Sequence, residues 1–278
     1  MFDQSAIIET LDVQKAFDAE EEAARRIEFL KHYLVRSGLK HYVLGISGGI
    51  DSLAAGMLAQ RAVLELRTLE YHAEFVALRL PYGRQADEAD AQAALAVIGP
   101  DQLHTINIQP ATDAMMETVA DTGVLQNGAP QHFIAGNVKA RQRMIAQYAI
   151  AGALGGLVIG TDHAAEALMG FYTKFGDGAA DILPLAGLNK RRVRAIARHL
   201  GAPENLIVKV PTADLETNKP LLPDEDVYGV TYDEIDDFLE GKNIAPASKE
   251  RIAEAYRKTA HKRALPVTMT SIRPSDRN

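Results

Sequence analysis

Apolar positions fall into two spacings that take turns along the chain, and this succession predicts the fold. Ile27, Leu30 and Leu34 recur at helical spacing and predict an amino-terminal helix over residues 3–37 that stops at Gly38. HYVLGIS (41–47) reads as a buried strand, and the stretch from Ser52 to about Leu66 as the helix after it. EFVALRLPY (74–82) is a second strand, RQADEADAQAALAVIG has helical periodicity, and LHTINI (103–108) is a third strand. A polar, glycine-containing loop (121–131) precedes a long helix over 136–153. LGGLVIGTD (154–162) gives a fourth strand, followed at once by a short helix. Strands alternating with helices imply right-handed βαβ crossovers, hence an α/β fold with a doubly wound parallel sheet and flanking helices, Rossmann-like. Such sheets bind ligands at the carboxyl ends of their strands. Both SGGIDS (47–52) and GTDHAAE (160–166) fall at such ends.

The last third has a different texture. KVPTADLETNKPLLPDEDVYG (209–229) is rich in proline and acids and long for a connection within a compact domain. It predicts a lid or binding loop over residues 205–229, or a surface excursion. Helices are expected over 231–263, in TYDEIDDFLEGK and again from 246. No internal repeat or low-complexity tract divides the chain, so residues 1–278 are expected to form one domain.

Composition narrows the chemistry. The net charge is −7, from 30 basic and 37 acidic side chains, which argues against nucleic acid as the main partner. Cysteine is absent, so no disulfide, thiol nucleophile or Cys-ligated metal is available. No apolar run reaches the roughly 20 residues of a membrane span. MFDQSAIIETLDVQ (1–14) carries acids where a signal peptide is basic, so a cytoplasmic location is expected.

The turn VLGISGGIDS (43–52) is neither Gly-x-x-x-x-Gly-Lys-Ser/Thr nor Gly-x-Gly-x-x-Gly. Its glycines allow close backbone approach to a ligand, and the helix that follows offers unpaired N–H groups to an anion. Ser47 and Ser52 add hydroxyl donors, whereas the Asp51 carboxylate repels phosphate unless a divalent cation lies between, and oxygen ligands suit Mg²⁺. The alternative is a tight βα turn with Asp51 or Ser52 as helix cap.

SGGIDS resembles the Ser-Gly-Gly-x-Asp-Ser pyrophosphate loop of the ATP pyrophosphatases, whose fold is adenine nucleotide alpha-hydrolase-like. LPYGRQADEADAQ (80–92), GNVKARQRMIAQYAIAG (136–152), GTDHAAEALMGFYTKFGDGAADILPLAGLNKRRVR (160–194), PTADLE (211–216), LPDEDVYGVTYDEIDDFLEGK (222–242) and HKR (261–263) resemble the ammonia-dependent NAD⁺ synthetases. The resemblance implies that the nicotinate carboxylate of deamido-NAD⁺ attacks the α-phosphorus of ATP, and that ammonia then displaces AMP. It implies ATP contacts from Gly45, Ile46, Ser47, Gly48, Gly49, Ile50, Asp51, Ser52, Thr161, Lys190 and Thr212, with Arg79 and Gln85 lining the same site. Asp51 and Glu166 would hold Mg²⁺. Arg141, Lys174, Asp181, His261 and Lys262 would bind deamido-NAD⁺, at the interface of a homodimer.

Arg141 shares a helical stripe with Val138, Ile145 and Tyr148, so its guanidinium is expected on an apolar face, where it snorkels or meets an anion. Lys139 and Arg143 read as surface charges, and Arg191, Arg192 and Arg194 as either a phosphate-facing run or a solvated helix face. Asp177 is the candidate proton acceptor for ammonium. Glutamine-dependent relatives carry a glutaminase domain with a nucleophilic cysteine, so free ammonia is the expected donor. The rivals are another ATP pyrophosphatase, amidating or thiolating a different acceptor, and a non-catalytic nucleotide-binding module.

Overall fold

The computed structural model describes residues 3–83, 88–125, 130–213 and 222–269. In chain order its elements begin with α1 (Gln4–Thr10), α2 (Ala19–Ser37), β1 (His41–Gly45), α3 (Ile50–Thr68), β2 (Glu74–Arg79), α4 (Glu88–Ile98), β3 (Gln102–Thr105) and α5 (Gln109–Asp121). Then follow α6 (Gln131–Leu154), β4 (Gly156–Val158), α7 (Ala164–Met169), α8 (Lys190–His199) and α9 (Glu204–Ile207). A short β5–β6 pair (Thr212–Ala213 and Leu222–Pro223), α10 (Asp224–Tyr228), α11 (Tyr232–Leu239) and α12 (Pro246–Lys258) complete the series.

The main sheet is parallel, in the order β3-β2-β1-β4. The chain walks outward from β1 to β3 and returns to the other side of β1 with β4. The topological switch point therefore lies between β1 and β4, where a ligand crevice is expected. Both faces of β1, β2 and β4 are covered, whereas the edge strand β3 is largely exposed. Tyr42, Leu44, Phe75 and Ala77 face a core shared with α2, α3 and α8, while Val43, Val76, Leu78 and Val158 face α6. This alternation in strands buried on both sides makes their sequences read as continuous apolar runs. The strands are shorter than their apolar runs; beyond β2 and β3 only isolated bonds continue, such as Ile106 N–H to Arg79 O at 2.8 Å.

The helix expected over 3–37 is two helices. Asp3 caps α1, Asp12 turns the chain at φ 54, and Asp18 starts α2 by accepting from Glu21 N at 2.9 Å. The break has a packing cause. Ile27, Leu30 and Leu34 bury against the sheet core, but Ile7 and Val13 bury in a separate cluster with Ile235, Phe238 and Leu239. Much of the expected 205–229 lid is regular, in α9, β5, β6 and α10, although residues 214–221 lie outside the described residues.

Gly48, at φ +89, lies against α4, and a Cβ there would stand 2.7 Å from Ala91 N. Gly49 has an ordinary φ, and its added Cβ would meet only Ser47 Oγ at 3.4 Å. Gly48→Ala is therefore expected to lower stability by roughly 2–4 kcal/mol through backbone strain and overpacking, against about 1 kcal/mol or less for Gly49→Ala. Chemical denaturation of the two variants checks this, and equal losses would contradict it.

Candidate functional site

The β1–α3 turn is knitted by its own hydroxyls. Ser52 Oγ donates to Gly49 O at 3.0 Å and lies 3.2 Å from Ser47 Oγ, and Gly49 N donates to Ser47 Oγ at 3.2 Å. The N-cap of α3 is Gly49, without a side-chain cap, so neither Asp51 nor Ser52 closes the helix end. The capping alternative is thereby corrected: α3 presents uncapped N–H groups at the switch point, where an anion fits. A cleft of about 290 Å³ opens there, lined by the turn together with Arg79, Gln147, Thr161, Glu166 and Asp224. Gln147 Oε1 accepts from Gly45 N at 2.9 Å and holds the end of β1.

Asp51 turns toward a buried cation. Lys190, 0% exposed, places Nζ 2.8 Å from Asp51 Oδ2, 3.9 Å from Glu166 Oε1 and 4.7 Å from the Tyr232 ring centroid. Local sequence explains its position. Asn189 caps α8 through Arg192 N at 2.9 Å, and the Asp236 carboxylate accepts from Lys190 N at 3.0 Å and Arg191 N at 2.7 Å. His163 Nε2 lies 3.3 Å from Asp51 Oδ1 and 3.4 Å from Glu166 Oε1. Burial opposes charge on Asp51, but Lys190 and His163 outweigh it and hold this carboxyl well below the usual carboxylate range. Burial likewise opposes charge on Lys190 and His163. Asp51 and Glu166 prevail in both, raising the Lys190 ammonium and lifting His163 to about 9. Asp162 goes the other way, because burial and then the Glu166 and Asp177 charges push its carboxyl up.

The cleft gathers Gly45, Ile46, Ser47, Gly49, Ile50, Asp51, Ser52, Thr161, Glu166 and Arg79, with Lys190 joined through Asp51. Arg79 is buried and pairs with Glu88 at 2.7 Å. A second group collects beside the cleft. Arg141 donates to Lys174 O at 3.2 Å, Lys174 Nζ to Ala264 O at 2.8 Å and to His261 O, and Lys262 Nζ to Gly170 O and Tyr172 O at 2.8 Å. Asp181 sits at the sheet edge, where its carboxylate accepts from Val158 N at 2.7 Å. Gln85 and the Thr212 side chain lie outside the described residues.

One expectation for α6 is reversed. Arg141 and Ile145 are exposed, so the guanidinium reaches solvent along its stripe, but Lys139 is buried beneath Tyr82, its Nζ 4.1 Å from the ring centroid, and Arg143 lines the cleft and donates to Leu80 O at 3.1 Å. Lys139, Arg143 and Gln147 recur every fourth residue, a polar stripe whose periodicity signals a cleft-facing side. The arginine run of α8 is not a solvated face either. Arg192 is buried and donates to Gln14 O at 2.6 Å, and Arg191 pairs with Asp237 and Glu240 at 3.1 and 3.0 Å. His163, Asp224 and Tyr232 went unrecognised, because only the folded chain brings them to Asp51 and Lys190.

Asp224 is 6% exposed; Oδ2 accepts from Tyr232 OH at 2.9 Å, while buried Oδ1 has no hydrogen-bond partner among the described residues. Burial pushes its carboxyl up to about 6. A raised native pKa means that the protonated form is favoured by folding, so stability present below the unfolded value of about 3.9 is lost as pH rises through 6. Asp224→Asn is therefore expected to stabilise the ligand-free chain at pH 7, by on the order of 3 kcal/mol. The advantage should vanish below about pH 4, and melting curves across this range check it.

The NAD synthase family model matches residues 22–266. The NH(3)-dependent NAD(+) synthetase of Burkholderia lata is 62% identical over 267 residues, covering 96% of this chain and 95% of that protein. The crystal structure of NAD+ synthetase from Burkholderia pseudomallei superposes with TM-score 0.82 at 57% identity, covering 95% of this chain and 96% of that one. An NMN synthetase structure from Francisella tularensis gives TM-score 0.78 at 37% identity, covering 91% and 99%. Matched along nearly its whole length in both sequence and fold, the chain belongs to the NAD synthase family.

Proposed function

We propose that the chain is an ammonia-dependent ligase that converts deamido-NAD⁺ to NAD⁺ at the expense of ATP. The observation that carries this reading is the buried Asp51–Lys190 pair beside Glu166, at the uncapped start of α3. A phosphate chain seated there meets the α3 amides, the Ser47 and Ser52 hydroxyls and the Lys190 ammonium.

Asp51 and Glu166 would hold Mg²⁺. Their donor set fits, since oxygens of both, with a His163 nitrogen, lie within 4.8 Å of one another, and Asp51 Oδ1 is buried without an aligned hydrogen bond among the described residues. When bound, Mg²⁺ neutralises charge that develops on the phosphates. The protein's task is mainly alignment and electrostatics. A nicotinate oxygen forms a bond to the α-phosphorus as the bond to the bridging oxygen breaks and pyrophosphate leaves. Ammonia nitrogen then bonds to the acyl carbon, AMP departs, and the nitrogen loses a proton. The ammonia nitrogen arises from ammonium, and Asp177, on the cleft wall, is the proposed acceptor of the proton that ammonium gives up. Arg141, Lys174, Asp181, His261 and Lys262 would take deamido-NAD⁺, with a second copy of the chain completing its site. Exposed Phe133 and Ile145 along α6, with Met115 on α5, supply the apolar surface for such a dimer.

Incubation with deamido-NAD⁺, ATP and Mg²⁺, with ammonium or with glutamine, tests the activity. Equal NAD⁺, AMP and pyrophosphate are expected with ammonium, and little of each with glutamine; intact ATP in both would sink the reading. Nicotinate mononucleotide belongs beside deamido-NAD⁺ in the same assay, because an NMN synthetase shares the fold. Asp51→Asn is expected to slow pyrophosphate release at least about a hundredfold in a folded protein. Asp177→Asn should slow amidation of a preformed acyl-adenylate, leaving adenylation in place; unchanged amidation removes Asp177 from this role.

A further inference from the structure

His163 is a polar side chain of the site whose position the proposed chemistry leaves unexplained. It is 1% exposed, and it occupies the N-cap position of α7 without a cap hydrogen bond from its side chain. Neither ring nitrogen has an aligned hydrogen-bond partner among the described residues. An imidazole so buried would be costly unless something in the site uses it.

The geometry indicates the use. Asp51 comes from the first turn of α3 and Glu166 from α7, so two like charges approach on separate elements, and no shared backbone fixes their separation. Lys190 does not bridge them evenly, at 2.8 Å from one and 3.9 Å from the other. His163 Nε2 reaches an oxygen of each at nearly the same distance, 3.3 and 3.4 Å. The ring is held there by its main chain, since Ala164 N donates to Leu188 O at 2.7 Å and ties α7 to the turn that delivers Lys190.

We propose that His163 is a positioning residue whose Nε2–H spans the Asp51 and Glu166 carboxylates and sets the oxygen spacing presented to the divalent cation. The proposal rests on the reading that these two carboxylates hold that cation. A hard cation takes carboxylate and water oxygens in preference to imidazole nitrogen, so His163 acts through the ligands as an outer partner. Loss of such a partner typically weakens metal binding about 10–100-fold.

The test separates cation binding from nucleotide binding and needs no turnover. Equilibrium dialysis of the full chain with labelled ATP, without deamido-NAD⁺, gives one dissociation constant in Mn²⁺ and another in EDTA, and their ratio is the cation's contribution. In His163→Leu the ratio should shrink about 10–100-fold with the EDTA value unchanged, and His163→Gln, which keeps a donor near Nε2, should recover most of it. If His163→Leu does not fold, His163→Ala takes its place in the same comparison with His163→Gln. An unchanged ratio in His163→Leu overturns the positioning role alone. Equal weakening in Mn²⁺ and EDTA also overturns it, because a merely structural residue behaves in that way. A native ratio of one overturns the cation reading and this proposal together.

Discussion

Burying the Lys190 ammonium is the constraint around which this molecule is arranged. A charged amine with no exposed surface is strongly unfavourable unless partners surround it. Asp51 supplies the opposite charge, the Tyr232 ring a polarisable face, and Asp236 and Asn189 fasten the helix end that carries it. These partners come from α3, α11 and the turn before α8, so meeting the demands of one side chain docks distant parts of the chain on one another. The same arrangement leaves an electrostatically prepared cleft at the sheet's switch point.

Supporting layers divide the work. The sheet and the helices on its two faces fix the carboxyl ends of β1 and β4 and hence the turn and Thr161. The carboxy-terminal cluster, formed by α7, α10, α11 and α12 with α1, fixes the tyrosines and Asp224 on the opposite wall. Helix α6 faces two ways, with Gln147 and Arg143 toward the cleft and Arg141 toward Lys174.

Strand order aside, the architecture was legible because apolar runs in a doubly buried sheet leave few other readings. The turn at 47–52 was legible as a tight strand-to-helix turn at a ligand crevice, because a buried strand runs into Ser-Gly-Gly and a helical run follows at once. The break between α1 and α2 was not, since Ile7 and Val13 carry helical spacing whichever cluster they join. Lys139 and Arg143 misled for a different reason: charge predicts exposure only on convex surfaces, and α6 lines a concave one. Reading His163 demanded a distance to Asp51 that no local pattern encodes. The large hydrophobic side chains, whose burial is common to all α/β proteins, were the easiest to place; the polar side chains of the site depended most on tertiary geometry.

Gln4 donates from its side-chain amide to Phe238 O at 2.8 Å, a contact that spans 234 positions of sequence. Contacts so distant in sequence form late, because the intervening chain must first be made and closed. On a ribosome, α1 therefore waits for α11 before its apolar side has a partner, and the sheet is free to assemble earlier. The tyrosine beneath Lys190 arrives with that same late segment. A partly synthesised chain therefore holds the 47–52 turn with no finished wall opposite it until that segment has been made.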